Sequence, residues 1–178
     1  EQNERLNRQV EKVLQIAEIE RKEIELKYEE VGVHKQINSI AKSVELKLKN
    51  REGKIEINLG AVDDVLYCDK LHLTNILYNI IDNSLKYTQS KPSIKIETSE
   101  MERFLYLKIS DNGMGIPQEH LQEVKNKFFR VPTGRVHNVK GFGLGLYYVD
   151  QICKAHNWQW DIESKLGEGT SILLKIKR

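Results

Sequence analysis

No stretch of this sequence is apolar for long enough to cross a bilayer, and no hydrophobic leader stands at its start. The pattern G-x-x-x-x-G-K-[ST] is missing, which excludes a P-loop nucleotide site. A charge excess is missing too. The 28 basic and 26 acidic residues leave +2, too little for a nucleic-acid or membrane footprint, so neither nucleic-acid binding nor membrane contact by this chain is expected. The two cysteines, Cys68 and Cys153, are far apart, lack metal-ligand spacing and flank apolar residues. Buried free thiols are expected there, in a reducing compartment, rather than a disulfide or a zinc site. Repeats and low-complexity tracts are also absent.

What is there suits one domain with an appendage: 178 residues, 39% hydrophobic for a core and 30% charged for a solvated surface. The chain opens on charged residues without Met and is expected to be cut from a longer protein. Within residues 1–24, Leu6, Val10, Val13, Ala17 and Ile24 make a heptad-like seam, broken where Glu20 takes a seam position. An amphipathic helix packed on its own domain and a bundle or dimer helix both fit. From there the pattern predicts a strand at Glu25–Val31, a helix at Val33–Lys49, and strands at Lys54–Leu59 and Val65–Cys68. A long helix follows from an Asp69 N-cap, then strands at Ser93–Thr98 and Phe104–Ile109 and a short helix at Gln118–Lys125. A helix at Leu144–Ala155 and two strands, Trp158–Ile162 and Thr170–Ile176, joined by a glycine turn, close the chain. This order predicts an α+β fold, a mixed sheet covered on one face by helices.

Three stretches carry chemistry. In Asp69–Gln89, Leu73, Ile76, Leu77, Ile80 and Ile81 form an apolar helix face, and Asn75, Asn79 and Asn83 a stripe beside it, with Asp82 and Lys86. Asparagine is a poor helix former, so three amides in a line suggest a polar counterpart, although a solvated face fits as well. Asp111-Asn112-Gly113 on its own signals a tight turn, but Gly115 and Pro117 extend it beyond a hairpin. Gly141-Phe142-Gly143-Leu144-Gly145 opens a helix, where backbone N–H groups and the helix dipole attract phosphate. Between the glycine stretches, Phe128, Phe129 and Val131 alternate with Lys125, Lys127, Arg130, Arg135, His137 and Lys140. A solvated loop or a lid over a nucleotide fits that mixture.

Taken together and in this order, these stretches resemble the ATP-binding domain of sensor histidine kinases, in the superfamily shared with DNA gyrase, a heat-shock chaperone and mismatch-repair ATPases. Asn79–Tyr87 looks like the N box, Asp111–Gly115 the G1 box, Phe128–Phe129 the F box and Gly141–Gly145 the G2 box. The resemblance covers roughly residues 25–178 and implies a two-layer α/β sandwich, the Bergerat ATP-binding fold. Residues 1–24 resemble the end of the second dimerisation and phosphotransfer helix.

The resemblance implies ATP and Mg²⁺ as cofactors, with Asn83 as metal ligand and Asn79 near the phosphates. Lys86 would neutralise phosphate charge and Tyr87 offer a flat face. Asp111 would accept from the adenine amine, while Gly113 and Gly115 let the backbone pass close to the base. Gly141, Gly143, Leu144 and Gly145 would meet the phosphates, Phe129 would anchor the lid, Arg130 and Lys140 would contact phosphate, and Thr170 would lie behind the base. Asn79 and Arg130 are the catalytic candidates. An amide cannot act as a general base, so Asn79 argues against water as acceptor.

The implied activity is ATP-dependent phosphorylation of a histidine outside this chain, because none of the five histidines has the family's phosphoacceptor context. A response regulator receiver domain would follow as partner, and the full-length protein would dimerise through the missing hairpin. The expected location is cytoplasmic, with membrane attachment of the parent protein left open. His34 is expected at a helix start, His120 and His156 on helix surfaces. Ser84, in place of a usual alanine, and Asn157-Trp158, in place of a usual glycine pair, are expected to lie clear of the site. Two rivals remain: a serine kinase of the anti-sigma type, against which the F box and residues 1–24 count, and a nucleotide-gated interaction module.

Overall fold

The computed structural model describes residues 24–132 and 141–178. The seam expected before Ile24, and Arg135, His137 and Lys140, lie outside those residues.

Among the described residues, seven strands and three α-helices follow the predicted order. They are β1 (Tyr28–Gly32), α1 (Val33–Lys49), β2 (Lys54–Leu59), β3 (Val65–Asp69), α2 (Lys70–Lys86), β4 (Ser93–Met101) and β5 (Phe104–Asp111), then α3 (Gly145–Ala155), β6 (Gln159–Lys165) and β7 (Gly169–Lys177). Five strands form one sheet in the order β2-β4-β5-β7-β6, while β1 and β3 pair antiparallel as a separate ribbon. Strand β2 runs parallel to β4, with Ile55 beside Ile94, and the other pairs are antiparallel.

Alternation sets which face is covered. In β4, Ile94, Ile96 and Thr98 are buried, whereas Ser93, Lys95 and Glu97 are not. Ile109 and Ile172 sit side by side in register and continue that face. It meets Ile37, Ile40 and Val44 of α1, Leu73, Ile76, Leu77, Ile80 and Ile81 of α2, and Val149 and Ile152 of α3, in one core. Burying each such side chain contributes about 1.5–3 kcal/mol. Cys68 and Cys153 are buried free thiols, and burial pushes both up to about 12. Among the described residues no helix is long and apolar enough to cross a membrane.

The helix ends are satisfied by distant groups. Gly32 offers α1 no side-chain cap. Asp64 supplies one from the loop before β3, its backbone oxygen accepting from Val33 N at 3.0 Å and its carboxylate from His34 N at 2.7 Å. Asp69 caps α2, accepting from His72 N at 3.0 Å and Lys27 N at 2.8 Å. Burial pushes its carboxyl up, but those two N–H groups and the neighbouring histidines outweigh burial and hold it below the usual range. Arg51 donates to the carbonyls of Leu85, Thr88 and Ser90, closing the other end of α2.

Three expectations are corrected. The helix predicted at Gln118–Lys125 is two single 3₁₀ turns, Gln118–His120 and Glu123–Lys125. Its apolar residues, Leu121 and Val124, are too few to hold a longer α-helical face. His120 is therefore not on a helix surface; its ring lies 5.5 Å from Phe129 and its Nδ1 contacts Glu123 Oε2 at 2.5 Å. His156 is buried at the C-cap of α3, where Nε2 accepts from Asp69 N at 3.2 Å and Nδ1 faces Ile152 O at 3.0 Å. Asn157 and Trp158 then close α3. Asn157 takes a left-handed φ of 56°, which asparagine tolerates, and its N–H meets Lys154 O while that of Trp158 meets Cys153 O. The Trp158 ring stacks on His156 at 4.3 Å.

Candidate functional site

Helix α2 leaves the β1–β3 ribbon and packs its apolar face on the sheet, which turns the asparagine stripe toward α3. The two helices and the loops after β5 and before α3 enclose a cavity of ≈ 810 Å³. Its apolar side includes Ile80, Ile109, Ile116, Ile162 and Ile172. Asn79, Asn83, Lys86, Tyr87, Asp111, Gly113, Gly115, Phe129, Arg130, Gly141, Gly143, Leu144, Gly145 and Thr170 all line it. Predicted site residues up to 91 positions apart in sequence, from Asn79 to Thr170, thus meet in one space, and of the sequence-predicted site residues only Lys140 lies outside the described chain.

Asp111 ends β5 at one side of the cavity. Its Oδ1 accepts from Gly113 N at 2.8 Å and Thr170 N at 3.2 Å, and its Oδ2 from Ser84 Oγ at 2.7 Å. The approach of β7 that makes this possible needs Gly169: at φ 109°, an added Cβ would stand 1.9 Å from Asp111 O. Ser84 therefore does touch the predicted site, against the sequence expectation. Helical period puts it one residue past Asn83 on the sheet-facing side of the stripe, and the missed signal was a hydroxyl where the resemblance put alanine. Thr170 Oγ1 meets Ser164 Oγ at 2.9 Å.

At the other side, the N-terminus of α3 faces α2. A Cβ built on Gly145 would lie 3.5 Å from Asn79 Oδ1 and 3.6 Å from Asn83 Oδ1, so the missing side chain leaves room between the helix start and both amides. No side chain caps α3 among the described residues, and its first N–H groups have no partner within the helix. Asn79 is oriented by its own helix, Nδ2 donating to Asn75 O at 2.9 Å, and Asn75 Nδ2 donates to Tyr148 Oη of α3 at 3.2 Å. Tyr148 Oη also contacts His72 Nδ1 at 2.7 Å, and burial pushes the Tyr148 hydroxyl up to about 12 and the His72 ring down. Lys86 lines the cavity with its ammonium on Asp82 Oδ2 at 2.5 Å, so Asp82, unassigned from sequence, shares its charge. Tyr87 is the C-cap of α2, and its carbonyl accepts from Met114 N at 2.9 Å.

Of the aromatic pair, only Phe129 lines the cavity. Phe129 is half-buried and packs on the core, whereas Phe128 is exposed. Phe128 takes φ 63°, a conformation costing a bulky residue on the order of 1–3 kcal/mol, and its N–H bonds Gly143 O at 3.1 Å. Gly143, at φ 69°, accommodates this turn, since a Cβ there would stand 2.4 Å from Phe129 O. The F and G2 stretches are thereby locked together at the cavity mouth, with exposed Arg130 next in the chain.

The donor set suits a hard cation beside phosphates. Asn79 and Asn83 offer neutral amide oxygens facing a helix start that no described side chain caps, and Asp82 lines the same cavity. Among the described residues no group of three His, Cys, Asp or Glu side chains could hold a metal alone. The two amide oxygens suit an ion that takes one or two protein oxygens and draws its other ligands from phosphate and water.

The sequence pattern of the family described as "Histidine kinase-, DNA gyrase B-, and HSP90-like ATPase" matches residues 68–178. The sensor protein RprX of Bacteroides fragilis is 38% identical over 178 residues, which cover 99% of this chain and 34% of that protein. The chain thus spans about a third of the length of the curated relatives it matches. Full-length ShkA in complex with AMPPNP superposes with a TM-score of 0.86 at 20% identity, covering 97% of this chain and 35% of ShkA. Histidine kinase ThkA in complex with response regulator protein TrrA superposes with a TM-score of 0.79 at 19% identity, covering 98% of this chain and 48% of that one. At those identities the two structures show a shared fold.

Proposed function

The chain belongs to the family of histidine kinase-, DNA gyrase B- and HSP90-like ATPases, with an ATP-binding catalytic domain of the sensor histidine kinase type, and from that premise we propose that its cavity binds Mg·ATP and presents the γ-phosphoryl group to a histidine outside this chain. The observation that carries the reading is one cavity with an anchored acceptor at one end, Asp111, and at the other a helix start that no described side chain caps, facing two amides. An adenine amine suits the first end and phosphates the second.

In this reading Asp111 accepts from the base amine and Thr170 lies beside it, with Gly113 and Gly115 giving the base room. The N–H groups at Gly143–Gly145 hold phosphate oxygens. Asn83, with Asn79 one turn away, supplies amide oxygen to Mg²⁺, which when bound offsets phosphate charge and ties the phosphates to α2. Lys86 and Arg130 add positive charge, Lys86 tempered by Asp82, and Lys140 is proposed to do the same. Tyr87 and Phe129 flank the nucleotide. Asn79 is an amide and cannot itself take a proton from water, which favours a protein nucleophile as acceptor. The phosphoryl group then passes to an aspartate of a response regulator. A regulator bound to ThkA, and AMPPNP bound to ShkA, are in keeping with this reading. A parent protein that dimerises through a preceding hairpin, of which residues 1–24 are the end, completes it.

Isothermal titration of Mg·ATP into the protein, beside Asp111→Asn and Asn83→Ala, tests the proposal. Micromolar to submillimolar binding that both substitutions abolish is expected. Absence of heat from the parent protein, or equal binding by all three, overturns it.

A further inference from the structure

The Asp111 carboxylate is restrained by donors from three parts of the fold: the loop after β5 through Gly113, β7 through Thr170, and α2 through Ser84. An ionised carboxylate has about four acceptor positions. Gly113 and Thr170 use Oδ1, and Ser84 takes one position of Oδ2. The remaining Oδ2 position belongs to a residue that, like Ser84, lines the cavity.

The Ser84 hydroxyl has one proton and two acceptors within reach, Asp111 Oδ2 at 2.7 Å and Ile80 O at 3.2 Å. Hydrogen bonds to a charged group are shorter and roughly twice as strong as neutral ones, so the proton points at the carboxylate. Ser84 is 3% exposed, which keeps water from replacing that bond. Its backbone is set by the helix and by Thr88, whose Oγ1 donates to Ser84 O at 2.7 Å.

We propose that Ser84 is a positioning residue for base selection: its hydroxyl fixes the plane of the Asp111 carboxylate and leaves one Oδ2 lone pair toward the cavity, matched to an N–H of a purine 6-amino group. A 6-oxo purine in the same place sets an acceptor against an acceptor-only group, and the pinned carboxylate cannot turn aside to relieve it. Without the hydroxyl the carboxylate keeps its two bonds at Oδ1 and regains freedom at Oδ2. The amine then meets a spread of orientations, and the penalty against the 6-oxo group softens. This rests on Asp111 as the base-contacting residue.

The test is titration of Mg·ATP and Mg·ITP, which differ at the 6-position, into wild type, Ser84→Ala, Ser84→Thr, Asp111→Asn and the Ser84→Ala/Asp111→Asn double variant. Ser84→Ala is expected to raise the Kd for Mg·ATP about tenfold and that for Mg·ITP less than about twofold, narrowing the preference at least about fivefold. Ser84→Thr keeps the hydroxyl and the wild-type preference. Asp111→Asn is expected to lose measurable Mg·ATP binding both alone and with Ser84→Ala, so Ser84→Ala adds no further loss once Asp111 is gone. An unchanged preference in Ser84→Ala, or equal weakening toward both nucleotides, overturns the inference while leaving the nucleotide site intact. A wild-type protein that binds neither nucleotide overturns the nucleotide reading itself.

Discussion

Gly145→Ala should separate the stability of this fold from its nucleotide chemistry. The residue is the first of α3, and among the described residues the nearest atoms to an added Cβ are the Asn79 and Asn83 amides at 3.5–3.6 Å, so alanine meets only ordinary contacts there. Alanine is also the better helix former, by up to about 1 kcal/mol. The melting temperature should therefore stay or rise by at most about 2–4 °C, the shift of roughly 1 kcal/mol in a domain this size. Yet the methyl group would occupy the space between the helix start and the amides of Asn79 and Asn83, 3.5 Å from one and 3.5–3.6 Å from the other. In the proposed reading Asn79 and Asn83 would hold the cation through their amide oxygens, and the phosphate beside it would need the gap that the methyl takes. Loss of one interaction with a charged group costs about 1.5–3 kcal/mol, roughly a 10- to 150-fold rise in Kd. Thermal unfolding without nucleotide and titration with Mg·ATP measure the two effects independently. Wild-type affinity in Gly145→Ala, or a melting temperature lowered by more than a few degrees, would refute the reasoning.

Gly169→Ala should act oppositely, on stability first. Its φ of 109° and a Cβ 1.9 Å from Asp111 O leave no relaxed position for a methyl, and overpacking alone costs about 1–3 kcal/mol. Circular dichroism should show a melting temperature several degrees lower, and a wild-type value would contradict the tight approach of β7 to Asp111. Acid should weaken the fold through His72 and His156, whose proton affinities burial lowers from the ordinary 6.5. The unfolded chain then takes up protons first, so this stability is fully present above about pH 6.5 and declines as pH falls, by at most ~1.4 kcal/mol per pH unit per histidine. Asp69, which burial pushes up but His72 and Lys27 N–H groups hold low, adds a second loss only below about pH 4. Urea unfolding at about pH 7.5 and about pH 5.5 measures the first loss, and equal free energies at the two would contradict the burial of both rings.

Periodicity and local chemistry made much of this protein legible from the sequence. The helix Val33–Lys49 and the strand Lys54–Leu59 have the predicted bounds, and Asp69 caps α2 as its side chain and position suggest. Alternation along Ser93–Thr98 marked the covered face, and the spacing of Asn75, Asn79 and Asn83 marked a stripe. These are properties of a residue and its near neighbours, so a chain of amino acids states them directly.

What the tertiary structure alone decided involves partners distant in sequence. Nothing local says that β2 runs parallel to β4, or that β1 and β3 leave the main sheet as a ribbon, because strand pairing depends on which edges the packed helices leave open. His156 looked like a surface residue until β3 brought Asp69 N–H to its ring, 87 positions away. Ser84 looked incidental, and its meaning comes from Asp111, 27 residues on, carried to it by β5 beneath α2. A hydroxyl's role is set by the acceptor it meets, and here the packing of the helix on the sheet chose that acceptor.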